Sequence, residues 1–215
     1  MTNRWLLAAA LGLAACSSTA EPGADAEIKR CFFGDPAMPV EIEPIFRTVS
    51  GQIEPLADRG RVPLILPPQG GKVAIVGVRA KNLDTCPVNL ATALRDTCSG
   101  AVIALEQRPI LLEPGSDGWA SPIQPAEITN YSNLPACPRA NLDRSIHEEP
   151  YELSIEVTDK DLRTARTVLQ IVPFCGEPEN ELRCQCECTK GYKLGDACEV
   201  GFDAGVIAPT CRDGG

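Results

Sequence analysis

Tyr151, Leu153, Ile155 and Val157 alternate strictly with Glu152, Ser154, Glu156 and Thr158. A period of two puts the apolar set on one face and the polar set on the other, so the segment predicts a half-buried strand. Asp159-Lys160-Asp161 supplies a turn, and Thr164 to Val172 returns as the second strand of a hairpin. Val73 to Val78 is a continuous apolar run with β-branched residues, the pattern of a strand buried on both faces. Leu90, Thr92 and Leu94 alternate with Asn89, Ala91 and Ala93. Ala101 to Leu105 is a short apolar run after a Cys98-Ser99-Gly100 turn, and Ile110-Leu111-Leu112 is stopped by Glu113-Pro114-Gly115. No segment keeps a 3.6-residue apolar period over three turns. With 19 prolines and 18 glycines punctuating the chain, the pattern predicts a mainly β protein, a β-sandwich of short strands.

The closing hairpin, Tyr151–Asp159 running into Val168–Pro173, resembles the last two strands of bacterial immunoglobulin-like domains. The resemblance implies an immunoglobulin-like sandwich over residues 31–173, although no Cys–Trp–Cys spacing accompanies it. Pro122 to Pro150 lacks any strand periodicity and reads as irregular.

The amino terminus changes the picture. Arg4 precedes an apolar stretch, Trp5 to Ala15, too short to span a bilayer, which takes about 20 apolar residues. This is the order of a secretory signal. Leu13-Ala14-Ala15-Cys16 resembles the lipobox of bacterial lipoproteins. That resemblance implies cleavage before Cys16, a signal peptide over residues 1–15 and a lipid on the Cys16 thiol. It also implies membrane attachment in the cell envelope, and Ser17 in place of Asp points to the outer membrane. Residues 16–30 are small, polar and aperiodic, a flexible tether.

Eleven cysteines are an odd number. Setting aside Cys16 leaves ten: Cys31, Cys86, Cys98, Cys137, Cys175, Cys184, Cys186, Cys188, Cys198 and Cys211. An exported chain oxidises its thiols, so five disulfides are expected, with a connectivity that spacing does not determine. Six of the ten fall after Pro173, where aliphatic residues thin out. Residues 174–215 therefore predict a disulfide-rich knot that crosslinks hold in place of a core. Cys186-Glu187-Cys188-Thr189-Lys190-Gly191-Tyr192, closing at Cys198, resembles the end of an epidermal-growth-factor-like module. That resemblance implies a Cys188–Cys198 pair.

The formal net charge is −9 and becomes one unit more negative once Arg4 is removed. Such a balance argues against nucleic acid as a partner. Among side chains with chemistry, Cys184, Cys186 and Cys188 would face one way in an extended chain and could then hold zinc or copper(I). Disulfides are the expected fate in an oxidising compartment, so no metal is assigned. His147 is the only histidine. Any Ser–His–acid triad would have to use it, but no Gly-x-Ser-x-Gly elbow is present, and a solvated loop histidine is expected. The pairs Glu148/Glu149 and Asp159/Asp161 would have to flank a cleft to act in glycoside hydrolysis, and they read first as loop solvation. Asn130-Tyr131-Ser132 matches a glycosylation acceptor by chance. Trp119 is the only tryptophan after the signal, and either fills the core or serves as a ligand contact.

The expectation is a non-enzymatic envelope lipoprotein without cofactors, with a structural, adhesive or protein-binding role. A carbohydrate- or metal-binding module is the alternative, and a carboxylate hydrolase a third.

Overall fold

A computed structural model describes residues 31–139 and 142–198. The strands are β1 (Phe32–Phe33), β2 (Glu41–Arg47), β3 (Ile53–Pro55), β4 (Gly60–Ile65), β5 (Lys72–Lys81), β6 (Leu83–Asp84) and β7 (Val88–Asp96). They continue with β8 (Val102–Ile110), β9 (Leu112–Pro114), β10 (Ala120–Pro122), β11 (Ser132–Cys137), β12 (Tyr151–Thr158) and β13 (Thr164–Cys175). One α-helix, α1 (Glu181–Glu187), follows among the described residues.

Eleven strands form a single curled sheet along the path β3-β2-β5-β4-β13-β12-β7-β8, with β10 and β11 branching from β5 and β9 pairing with β10. β5 is the pivot. Its whole length is buried up to Val78, as the continuous apolar run requires. β2 and β4 pair with it along one edge, β11 and β10 along the other. β4 also runs parallel to β13, with Pro63 opposite Phe174 and Leu64 opposite Cys175. β4 thus carries the sheet from one layer to the other, and β11 packs across onto β7 and β8.

The result is a sandwich, with β5 and β11 in one layer and β13, β12, β7 and β8 in the other. This is the B–E against G–F–C–C′ order of immunoglobulin-like domains. Tyr151 adds a second mark of that class. It stands at the first position of β12, is 1% exposed, and donates its hydroxyl to the Ser145 carbonyl at 3.1 Å. This is the tyrosine corner, in which the ring closes the turn into strand F.

The core follows the predicted faces. Leu90 and Leu94 of β7 and Leu153, Ile155 and Val157 of β12 are fully buried, each contributing roughly 1.5–3 kcal/mol relative to exposure. The hairpin register runs from Tyr151 opposite Ile171 to Thr158 opposite Thr164. Thr92 shares the inner face of β7 with the leucines, and its hydroxyl meets that of Ser132 across the core. Both are essentially unexposed, so each satisfies the other. On the outer face of β5, Tyr131 lies over Gly77, where a Cβ would meet the ring at 2.7 Å. Glycine is required there by close approach.

The stretch 122–150 is not irregular throughout, because β11 lies inside it. Its six residues include Pro135 and the polar Ser132 and Asn133, so its pattern is broken in sequence. Leu134 and Ala136 nevertheless fill the core.

Candidate functional site

The carboxy-terminal crosslinks sit where the sandwich ends. β13 runs on through Cys175, two residues past the change in composition. Pro178 then opens a short turn leading into α1. Glu181 lies in the first turn of the helix, where the dipole favours an acid. Gln185 to Glu181 and Arg183 to Glu187 bond one turn apart.

Seven residues cannot hold a helix alone, and two disulfides fix it to the sandwich: Cys175–Cys184 and Cys137–Cys188. The extended reading of Cys184, Cys186 and Cys188 is therefore corrected. A helix turns about 100° per residue, so Cys184 and Cys188 share a face and Cys186 points away. Cys186 bonds to Cys198. The Cys188–Cys198 pair implied by the growth-factor-like resemblance is not formed, because helical geometry turns Cys188 inward to β11. At the other end of the sandwich's first layer Cys31 pairs with Cys86. Cys98 is also in disulfide form. Cys16 and Cys211 lie outside the described residues.

The sulfurs of Cys175, Cys184 and Cys188 lie within 4.8 Å of one another. Two stacked disulfides account for this convergence, and Cys184 Sγ is 4.0 Å from Cys188 Sγ. All four cysteines of the pair are buried. Lys72 lies opposite Cys137 in the β5–β11 ladder. It is 1% exposed, and its Nζ has no hydrogen-bond partner among the described residues. Burial holds the Lys72 pKa below its ordinary value, against the opposing pull of Glu187 and Glu177.

His147 is not a solvated loop residue. It is half-buried, and its Nδ1 accepts the Cys175 N–H at 3.1 Å. Burial pushes its pKa down, while Glu148 and Glu181 pull the other way. The acids named from sequence are committed to neighbours. Asp159 is 3% exposed and accepts the N–H groups of Asp84, Asp161 and Arg163 at 2.9–3.1 Å. Glu148 pairs with Arg61. Glu149 pairs with Arg144, which also bonds to Asp96 at 2.8 Å and stacks over Tyr151. Burial alone would raise the Asp96 pKa, but the Cys98 N–H and Arg144 outweigh it and hold the carboxyl low. Asn130 bonds to the Leu111 N–H and the Ile123 carbonyl, so it serves the fold as a buried amide.

Trp119 is half-buried and belongs to neither core cluster. Lys81 Nζ stands 4.8 Å and the Arg79 guanidinium 5.6 Å from its ring. Those cations pair in turn with Glu41, Glu43 and Asp117. The ring is thus part of a surface ionic lattice.

One surface feature has the shape of a binding site. An open apolar groove of about 570 Å³ runs beside the β4–β13 pair, within the usual size range of ligand sites. Phe46, Val49, Pro63 and Phe174 form its walls, with Glu54 and Arg61 at the rim. The parallel pairing of β4 and β13 sets Pro63 beside Phe174. Arg61 lies 4.4 Å over the Phe174 ring, which fixes the orientation of both. None of these residues stood out in sequence, because the groove joins four separate segments.

No protein-family model matches the chain, and no curated protein is significantly similar to it. Among the described residues, no helix is long and apolar enough to cross a membrane.

Proposed function

We propose that the chain is a lipid-anchored envelope protein whose immunoglobulin-like sandwich binds another protein. The lipobox Leu13-Ala14-Ala15-Cys16 supports the anchor, with acylation at Cys16. The groove between β2, β4 and β13 supports the binding role. It offers an aromatic and aliphatic floor with one cation and one anion at its rim, the composition of a protein contact patch. His147 and most of the acids weighed as catalysts are occupied by hydrogen bonds or ion pairs of the fold, which favours binding over hydrolysis.

Two measurements test this reading. Intact mass should show a chain beginning at a diacylated Cys16, and Cys16→Ala should abolish detergent partitioning. A mature chain without lipid would overturn the anchor. A photo-crosslinking residue at exposed Val49, used in intact cells, should capture one discrete protein. The same residue at exposed Leu105, on β8, should not. Equal or absent capture at both positions would overturn the binding role.

A further inference from the structure

We propose that the two disulfides holding α1 form an exchange relay, so that one two-electron reduction removes both of its tethers. Among these four buried cysteines, Cys175 is the most exposed, at 7%, and Cys188 is fully covered. The relay begins with attack of a small dithiol on Cys175 Sγ. Its thiolate bonds to Cys175, and Cys184 leaves as a thiolate. The second thiol of the reductant then displaces Cys175 and closes the oxidised reductant. That step transfers two electrons and leaves Cys175 and Cys184 reduced.

The Cys184 sulfur lies 4.0 Å from Cys188 Sγ. Attack by the Cys184 thiolate on Cys188 Sγ forms a Cys184–Cys188 bond and breaks Cys137–Cys188, expelling Cys137 as a thiolate that then takes up a proton. The Cα spacing permits the new bond, and the last turn of α1 must draw the two Cβ atoms together from the roughly 5–6 Å of a helical pair to the roughly 3.5–4.5 Å of a disulfide. The Cys188 N–H still bonds to the Cys184 carbonyl at 2.9 Å, so the two are one helical turn apart. Four residues of helix rise about 6 Å, inside the roughly 4.4–6.8 Å between Cα atoms that a disulfide accepts. Lys72 stands opposite Cys137 with its Nζ unpartnered among the described residues, which places a cation on the side of the leaving thiolate. The exchange converts two crosslinks that join α1 to β11 and β13 into one that is internal to the helix.

The experiment uses the whole mature chain and limiting dithiothreitol. Thiols are trapped with a heavy alkylating tag, the remaining disulfides are then reduced and given a light tag, and each cysteine is read by peptide sequencing. The expected product carries heavy tags on Cys137 and Cys175 and light tags on Cys184 and Cys188. Heavy tags on Cys175 and Cys184, with Cys137 light, would overturn the relay, as would heavy tags on Cys137 and Cys188 together. In the double variant C175S/C184S the route through Cys184 is absent. Reduction of Cys137–Cys188 should then slow by about tenfold or more, since exchange rate depends on access to the attacked sulfur. An unchanged rate would likewise refute it.

Discussion

Replacing Cys137 and Cys188 together with alanine removes the crosslink between β11 and the end of α1. The bond spans 51 residues. Treated as loop-closure entropy, that length corresponds to about 4 kcal/mol at 25 °C. The shorter Cys175–Cys184 loop, of 9 residues, corresponds to about 2.6 kcal/mol by the same relation. Against a typical total of about 5–15 kcal/mol, the longer crosslink is a large fraction of stability. Urea unfolding, followed by Trp119 fluorescence and by far-ultraviolet circular dichroism, measures the loss. With a slope of about 2 kcal/mol per molar, the midpoint should fall by roughly 2 M in C137A/C188A and by somewhat over 1 M in C175A/C184A. A loss below about 1 kcal/mol in C137A/C188A would refute the reasoning. It would mean that packing and the remaining Cys175–Cys184 bond suffice to hold the helix to the sandwich.

Burial lowers the His147 pKa in the fold, so below its ordinary value of 6.5 the unfolded chain binds more protons there than the folded chain does. Stability should therefore decline from about pH 6.5 down to the folded pKa, by at most about 1.4 kcal/mol per pH unit. Urea midpoints at pH 7.5, 6 and 5 read this slope. Glu149, whose pKa burial raises, acts in the opposite direction, so His147→Gln is the control, and an equal slope in that variant refutes the assignment. For the hydroxyl pair, Thr92→Val and Ser132→Ala should each cost about 1–3 kcal/mol by orphaning the partner, and the double variant less than their sum. Strict additivity in chemical denaturation would show that the two hydroxyls do not depend on each other. Lys72→Met should raise stability by about 1–3 kcal/mol, read as a higher urea midpoint, because it removes a buried amine without a hydrogen bond. A lower midpoint would mean that attraction to Glu187 and Glu177 outweighs the cost of burial.

The sequence by itself determined the faces of the regular strands. Tyr151 to Thr158 could bury only one side, and its return through Asp159 to Thr164 is local, so the hairpin was legible. The unbroken run in β5 announced a strand covered on both sides. The crowding of cysteines after Pro173, where aliphatic residues thin out, announced crosslinks, because such a segment cannot build a core. Tertiary structure decided which cysteines meet. The reading of Cys184, Cys186 and Cys188 as extended failed because a helix too short to be stable alone is imposed by its bonds to β11 and β13. β11 was hidden since Ser132, Asn133 and Pro135 break its pattern, and burial between β5 and β8 overrides that local preference. Nothing in the sequence marked Phe46, Val49, Pro63 and Phe174 as neighbours. They come from three segments, and only the parallel joining of β4 to β13, a contact across more than a hundred residues, brings them to one surface.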